Sequence, residues 1–280
     1  MMTHQSIPPI PNKAAVMKVC VVVTGASRGF GRAVAETLCE GWHTAGHAVD
    51  AIITARSTAS LKSVQEQLKP HTTRVVALGG DLGNAQDVKT LTQRLLEETS
   101  ASDYDRLVVV NNAGTLGDIS KHVADYDSLD EMHQFMMTNI TSEFFITSSF
   151  MKAAKASNKH VRIVNVSSLL AVQAHGGFAL YCASRAARDM YTAVAAKEAA
   201  GTGTVLLSYA PGPLDTDMQA DIRERLANDE LRAAFADMKA KGTLVTPASS
   251  ASKLFELLES DDYESGAHID YYDKEYPKRT

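Results

Sequence analysis

From Lys18 onward, short runs of β-branched and other apolar residues alternate with longer stretches in which apolar positions recur every three to four residues. A short continuous apolar run fits a strand buried on both faces, and the three-to-four spacing fits an amphipathic helix. The pattern predicts strands near 18–24, 49–55, 74–79, 105–111, 161–167, 203–209 and 266–270. Between them Gly29–Thr44, Ser57–Lys69, Asn84–Glu98, Leu129–Ala156 and Phe178–Ala199 read as helices, and a long helical region is expected over Asp221–Lys241. Such alternation makes an α/β protein, a doubly wound Rossmann-type parallel sheet of about seven strands with helices on both faces, in a single domain over residues 18–280. Residues 1–17 carry Pro8, Pro9 and Pro11 and little periodicity. They read as a flexible N-terminal tail without the apolar core of a secretory signal or the arginines of a transit peptide.

Ligands of open parallel sheets bind beyond the carboxyl ends of the strands, so the polar residues after each strand carry the chemistry. Strand one runs into Thr24-Gly25-Ala26-Ser27-Arg28-Gly29-Phe30-Gly31, strand two into Arg56-Ser57, strand three into Asp81-Leu82. Strand four is followed by Asn112-Ala113-Gly114, strand five by Ser167-Ser168, strand six by Pro211-Gly212-Pro213, and strand seven ends at Asp270. Gly25, Gly29 and Gly31 between a Val-rich strand and a helix let backbone approach a dinucleotide pyrophosphate at the helix N-terminus. An acidic residue after strand two favours the ribose hydroxyl of NAD, whereas arginine favours the 2′-phosphate of NADP. This chain has Arg56 there and Arg28 in the glycine turn, so NADP(H) is the expected cofactor. Asp81 and Leu82 are then expected to flank the adenine.

Composition narrows the partners. The net charge of -5 arises from interspersed acids and bases, which disfavours a nucleic-acid surface and leaves no polybasic membrane patch. Apolar runs such as Val19–Val23 are strand length, far short of a membrane span. Cys20, Cys39 and Cys182 are odd in number and widely separated, which points away from a disulfide framework or metal site and towards a reducing, cytoplasmic setting. A small-molecule substrate remains.

The glycine turn, the Asn111-Asn112-Ala113-Gly114 turn, a serine after strand five and Tyr181 on the next helix together resemble the short-chain dehydrogenase/reductase family over nearly the whole chain after the tail. The resemblance implies an NADPH-dependent carbonyl reductase with Tyr181 as general acid, Ser168 holding the carbonyl oxygen and Asn139 holding a relay water. Ser167 is the alternative if the register shifts by one. It further implies that the cofactor lies against Gly25, Ser27, Arg28, Gly29, Phe30, Gly31, Arg56, Ser57, Asp81, Leu82, Asn112, Ala113, Gly114, Tyr181 and Arg185. Beyond strand six it would meet Gly212, Leu214, Thr216 and Met218. The family has lysine four residues after the tyrosine, where this chain has Arg185. Arginine keeps the charge and does not release a proton near neutrality.

Within the family, the stretches Tyr209–Gln219 and Ser265–Lys274 most resemble reductases of a pteridine side-chain ketone. A pterin offers a ring N–H beside an amino group, two donors for one carboxylate, and the resemblance gives that anchor to Asp270, with Asp273 as competitor. The substrate would contact Ser168, Tyr181, Gly212 and Asp270. The resemblance also implies a homodimer through the helices near 129–156 and 178–199. Two alternatives stand beside this reading: a broad dicarbonyl or quinone reductase, and a non-catalytic NADP(H)-binding regulatory protein, the latter because of Arg185.

Overall fold

A computed structural model describes residues 16–157 and 159–279. Seven parallel strands form one sheet in the order β3-β2-β1-β4-β5-β6-β7. They are β1 (Lys18–Val23), β2 (Ala48–Ala55), β3 (Arg74–Gly79), β4 (Arg106–Asn111), β5 (Val161–Val166), β6 (Thr204–Ala210) and β7 (His268–Asp270). Every predicted strand is present, the last shortened to three residues. Strand order reverses between β1 and β4, so the turns after these two strands diverge and open a crevice between them.

Successive strand residues point to opposite faces and feed separate cores. Val19, Val21 and Val23 pack beneath α1 (Gly29–Thr44), α2 (Lys62–Leu68) and α9 (Pro247–Ser260). Cys20 and Val22 face α3 (Ala85–Ser100), α5 (Ser142–Ser157) and α6 (Ala179–Glu198). A third apolar cluster lies off the sheet and joins Leu116, Ile119, Phe135, Phe178, Tyr181, Ile222 and Leu226, drawing on α4 (Leu129–Met136), α6 and α7 (Asp217–Arg225). Leu231 and Phe235 of α8 (Asp229–Ala240) pack against it.

Two helical expectations are corrected and one further helix is found. The helix expected over Leu129–Ala156 is two helices, α4 and α5, joined by a π-turn at Met137–Thr141. The region Asp221–Lys241 breaks at Leu226–Asn228, where the Asn228 side chain accepts from the Leu231 amide at 3.0 Å and starts a new helix. The segment 247–260, left unassigned by pattern, is α9, begun by Thr246 as cap and Pro247 in the first turn. The expected tail lies outside the described residues except for Val16 and Met17, and Met17 is buried, its amide donating to His47 Nδ1 at 3.2 Å.

Candidate active site

Two turns flanking the crevice are locked together. Thr24 Oγ1 accepts from the amides of Asn112 and Ala113 at 3.0 and 3.1 Å. Asn112 Nδ2 in turn donates to the carbonyls of Thr24 and Gly25 at 2.9 and 3.1 Å. A Cβ on Gly31 would overlap both Asn112 Nδ2 and the Gly25 carbonyl, so only glycine lets the two turns close. Gly25 and Gly29 take left-handed φ of 66° and 56°. No side chain caps the first turn of α1, which also lacks acidic residues, so its free amides suit an anion. The residues present therefore fit a dinucleotide pyrophosphate. Ser27 is half-buried and Phe30 buried in this turn.

The turns after β1 and β2 are also joined, by Ala26 N donating to Thr54 O at 2.9 Å. Arg28 and Arg56 each stand two residues beyond that bond, and both are exposed. Arg28 Nη1 lies 2.7 Å from Asp217 Oδ2, an exposed ion pair between the glycine turn and the start of α7. Ser57 caps the next short turn, accepting from Ala59 N at 3.3 Å. Asp81 is exposed, and its Oδ1 already accepts from Gly83 N at 2.9 Å, while Leu82 packs against the second core.

At the start of α6, Tyr181 is buried in the third apolar cluster. Arg185 follows one turn later on the same face, with Cζ 4.7 Å from the centre of the Tyr181 ring. Its Nη1 donates to Val166 O at 2.7 Å, and its buried Nε has no hydrogen-bond partner among the described residues. Asn139, turned inward by the π-turn, is fully buried and holds both backbone groups of one residue. Its Oδ1 accepts from Thr115 N at 2.8 Å and its Nδ2 donates to Thr115 O at 3.1 Å. A Cβ on Gly114 would fall 2.7 Å from Arg185 Nη2 and 2.8 Å from Asn139 Oδ1, so the two side chains meet over this glycine. Ser168 is half-buried just past β5, its Oγ accepting from Leu170 N at 3.2 Å and keeping its own proton to donate. Ser167 is buried, with an Oγ that has no partner among the described residues.

Beneath these residues lies a polar layer that sequence reasoning missed. Arg188, seven residues after Tyr181 on the same helix face, is fully buried. It donates to Asn165 Oδ1 at 2.7 Å, to Asn111 O at 2.6 Å and to Ala113 O at 3.4 Å. Its Nε lies 3.8 Å from Oε2 of buried Glu143. Burial, reinforced by the charge of Arg185, pushes the Arg188 guanidinium down to about 10, still protonated at neutral pH. Asn165 also donates to Asp189 at 2.9 Å, and Asp189 meets His268 Nδ1 at 2.6 Å. The available signal was the helical spacing 181, 185, 188 and the step from Asn139 to Glu143, both one-face patterns.

On the substrate side, Gly212 has a φ of 78° and lies beside Tyr271. Leu214 bridges Val245, Thr216 precedes α7, and Met218 in its first turn is partly exposed. Asp270 Oδ1 accepts from Tyr272 N at 2.9 Å, and its own amide donates to Asp273 Oδ2 at 2.8 Å. Burial raises the Asp270 carboxyl above the usual range, the Tyr272 amide opposes this, and Asp273 adds to it. Asp273 thus acts as a cap for Asp270. Among the described residues no group of three or more His, Cys, Asp or Glu could hold a metal ion. None of their helices is long and apolar enough to cross a membrane.

Comparison with known proteins places this geometry. The short chain dehydrogenase family model matches residues 19–227. Sepiapterin reductase of Mus musculus is 41% identical over 259 residues, covering 91% of this chain and 97% of that protein. Benzil reductase ((S)-benzoin forming) of Bacillus subtilis is 29% identical over 242 residues, 85% of this chain and 92% of its own length. Among solved structures, the KRED1-Pglu enzyme superposes with a TM-score of 0.73 at 26% identity, covering 89% of this chain and 99% of that one.

Proposed function

Since the chain belongs to the short-chain dehydrogenase family and is an oxidoreductase, we propose that it is an NADPH-dependent carbonyl reductase of the sepiapterin reductase type, reducing a pteridine side-chain ketone towards tetrahydrobiopterin. The observation that carries this reading is the buried Arg185 guanidinium set against the Tyr181 ring, where it meets Asn139 over Gly114.

When bound, NADPH supplies the hydride. The residues of the chain supply the rest. Ser168 directs its hydroxyl proton to the carbonyl oxygen, and Tyr181 donates the proton that quenches the developing alkoxide. Arg185 sets a fixed cation against the Tyr181 ring, its Cζ 4.7 Å from the ring centre, and cannot pass a proton onwards. Asn139 fixes the Thr115 peptide and with it the floor around Gly114. Arg28 and Arg56, on two turns joined by a hydrogen bond, select the 2′-phosphate of NADP(H). Asp270, with one oxygen held by the Tyr272 amide, anchors the pterin donors. The protein works in the cytoplasm as a homodimer formed through α5 and α6.

Two other readings have an observation behind them. The similarity to benzil reductase favours a wider range of dicarbonyl substrates. Arg185 favours an NADP(H)-binding protein without turnover. One experiment separates the three: NADPH binding and NADPH oxidation are measured with sepiapterin and with benzil, for the parent and for Tyr181→Phe. The proposal expects sepiapterin-dependent oxidation that Tyr181→Phe lowers by at least about 10²-fold while NADPH still binds. An undiminished rate in the variant removes Tyr181 from the mechanism, and binding without turnover in the parent removes the reductase reading.

A further inference from the structure

The two arginines beneath Tyr181 raise a question of charge. Arg185 and Arg188 are both buried and both permanently protonated, and the charge of Arg185 adds to burial in disfavouring that of Arg188. Buried charges persist when they are paired. Glu143 on α5 is the carboxylate that faces them, itself buried, with Oε2 3.8 Å from Arg188 Nε. Its Oε1 accepts from Thr147 Oγ1 at 3.2 Å and from Asn111 Nδ2 at 3.4 Å. Its Oε2 has no hydrogen-bond partner among the described residues, nor does Asn111 Oδ1 or Arg185 Nε.

We propose that Glu143 is a positioning residue for Tyr181: its buried carboxylate is the counter-charge to both guanidiniums and limits the positive field they exert on the phenol. The inference rests on Tyr181 being the acid of the reaction assigned above. The groups that face this cluster are Arg185, Arg188 and Asp189 from α6, Asn111 from β4, Asn165 from β5 and Thr147 from α5 itself. Asp189 is already paired with His268 of β7. Burial raises the Glu143 carboxyl above its usual range, and Arg188, Thr147, Arg185 and Asn111 offset only part of that rise. Glu143 is therefore the group that decides whether two positive charges beneath the phenol are offset or bare.

The test reads the phenol without substrate or cofactor. Tyrosinate formation is followed by ultraviolet difference titration in the parent, Glu143→Gln and Glu143→Asp, each subtracted from the same protein carrying Tyr181→Phe. Glu143→Gln should move the Tyr181 titration at least about half a pH unit lower, and Glu143→Asp should leave it near the parent. Equal titration in the parent and Glu143→Gln overturns the proposal. Should Glu143→Gln fail to fold, the double variant Glu143→Met/Arg188→Met replaces an ion pair by two apolar side chains of similar length. If the carboxylate offsets Arg188, the Tyr181 titration stays within about 0.3 pH unit of the parent; a rise, from the loss of Arg188 charge alone, overturns the proposal. In the turnover assay, the basic limb of NADPH-driven sepiapterin reduction should move with the titration. Absence of turnover in the parent would strike the reductase reading and leave the titration as the test of Glu143.

Discussion

Arg185 occupies the position where the family pattern has lysine, and the difference lies in shape and proton chemistry rather than in charge. Its planar guanidinium reaches past the Tyr181 ring to the Val166 carbonyl, 2.7 Å away, and lies against Gly114, a contact a longer side chain at residue 114 would forbid. An ammonium is a compact point charge with rotatable donors and can take part in proton relay. Arg185→Lys is therefore expected to keep a positive charge beside Tyr181 and to hold or raise kcat, by up to about tenfold, whereas Arg185→Met should lower it on the order of 10²-fold. Steady-state kinetics on the two variants decides this, and a Lys variant as inactive as the Met variant would show that guanidinium geometry, not charge, is what the site needs. The position of Arg185 was legible from its spacing to Tyr181. Its partners were not, because Val166 and Gly114 contribute backbone and the absence of a side chain, neither of which marks a sequence as functional.

At the scale of elements, the strands were the most legible feature, since parallel strands covered on both faces must be continuously apolar. The helices were less so. Apolar spacing across 129–156 continues through the π-turn, and nothing in that spacing reveals the extra residue that swings Asn139 onto Thr115. Helix α9 was hidden by its small polar start, although its buried positions Ala251, Leu254, Leu257 and Leu258 recur at helical spacing. Strand β7 is tied to α6 through His268 and Asp189, a link between segments far apart in sequence. The hydrogen bond that His268 donates to Asp189, against the opposing effect of burial, raises His268 above its ordinary value near 6.5. A histidine raised in the folded state adds stability that is complete below the unfolded value and is lost as pH rises through the folded one. Melting temperature should therefore fall, as pH rises above the ordinary histidine value near 6.5, by more in the parent than in His268→Gln. Parallel pH profiles for the two proteins would remove the pair from the stability of the β7 edge.

Across the whole molecule, burial leaves one conspicuous surface unexplained by the fold. On α6 the exposed positions Ala183, Ala186, Met190 and Val194 line up at helical spacing, with Met190 66% and Val194 47% exposed. Phe145 of α5 is 42% exposed, and beside it Phe144 stacks on Tyr191 with ring centres 3.8 Å apart, binding the two helices into one face. Leu169 and Val172 extend the apolar surface past the end of α6, around a shallow depression lined by Leu170, Gln173, Cys182 and Ala186. Contiguous apolar patches of this kind are costly on a soluble monomer and mark an association surface. The charge balance of the chain gave no hint of it, because the stripe is made of small and flexible apolar side chains that also suit a helix interior. A twofold pairing of α5 and α6 would cover the patch with its own copy, as the homodimer reading requires. Charge placed at its centre must then be buried on association, so Met190→Asp should convert a dimer to a monomer in light scattering. The lever on catalysis is the same helix: Met190 lies two residues beyond Arg188, so a monomer with weakened turnover would tie the polar layer under Tyr181 to the assembled state. A Met190→Asp protein that keeps the mass of the parent would place the association surface elsewhere, and a parent that is monomeric at assay concentration would leave this face without a second copy to cover it.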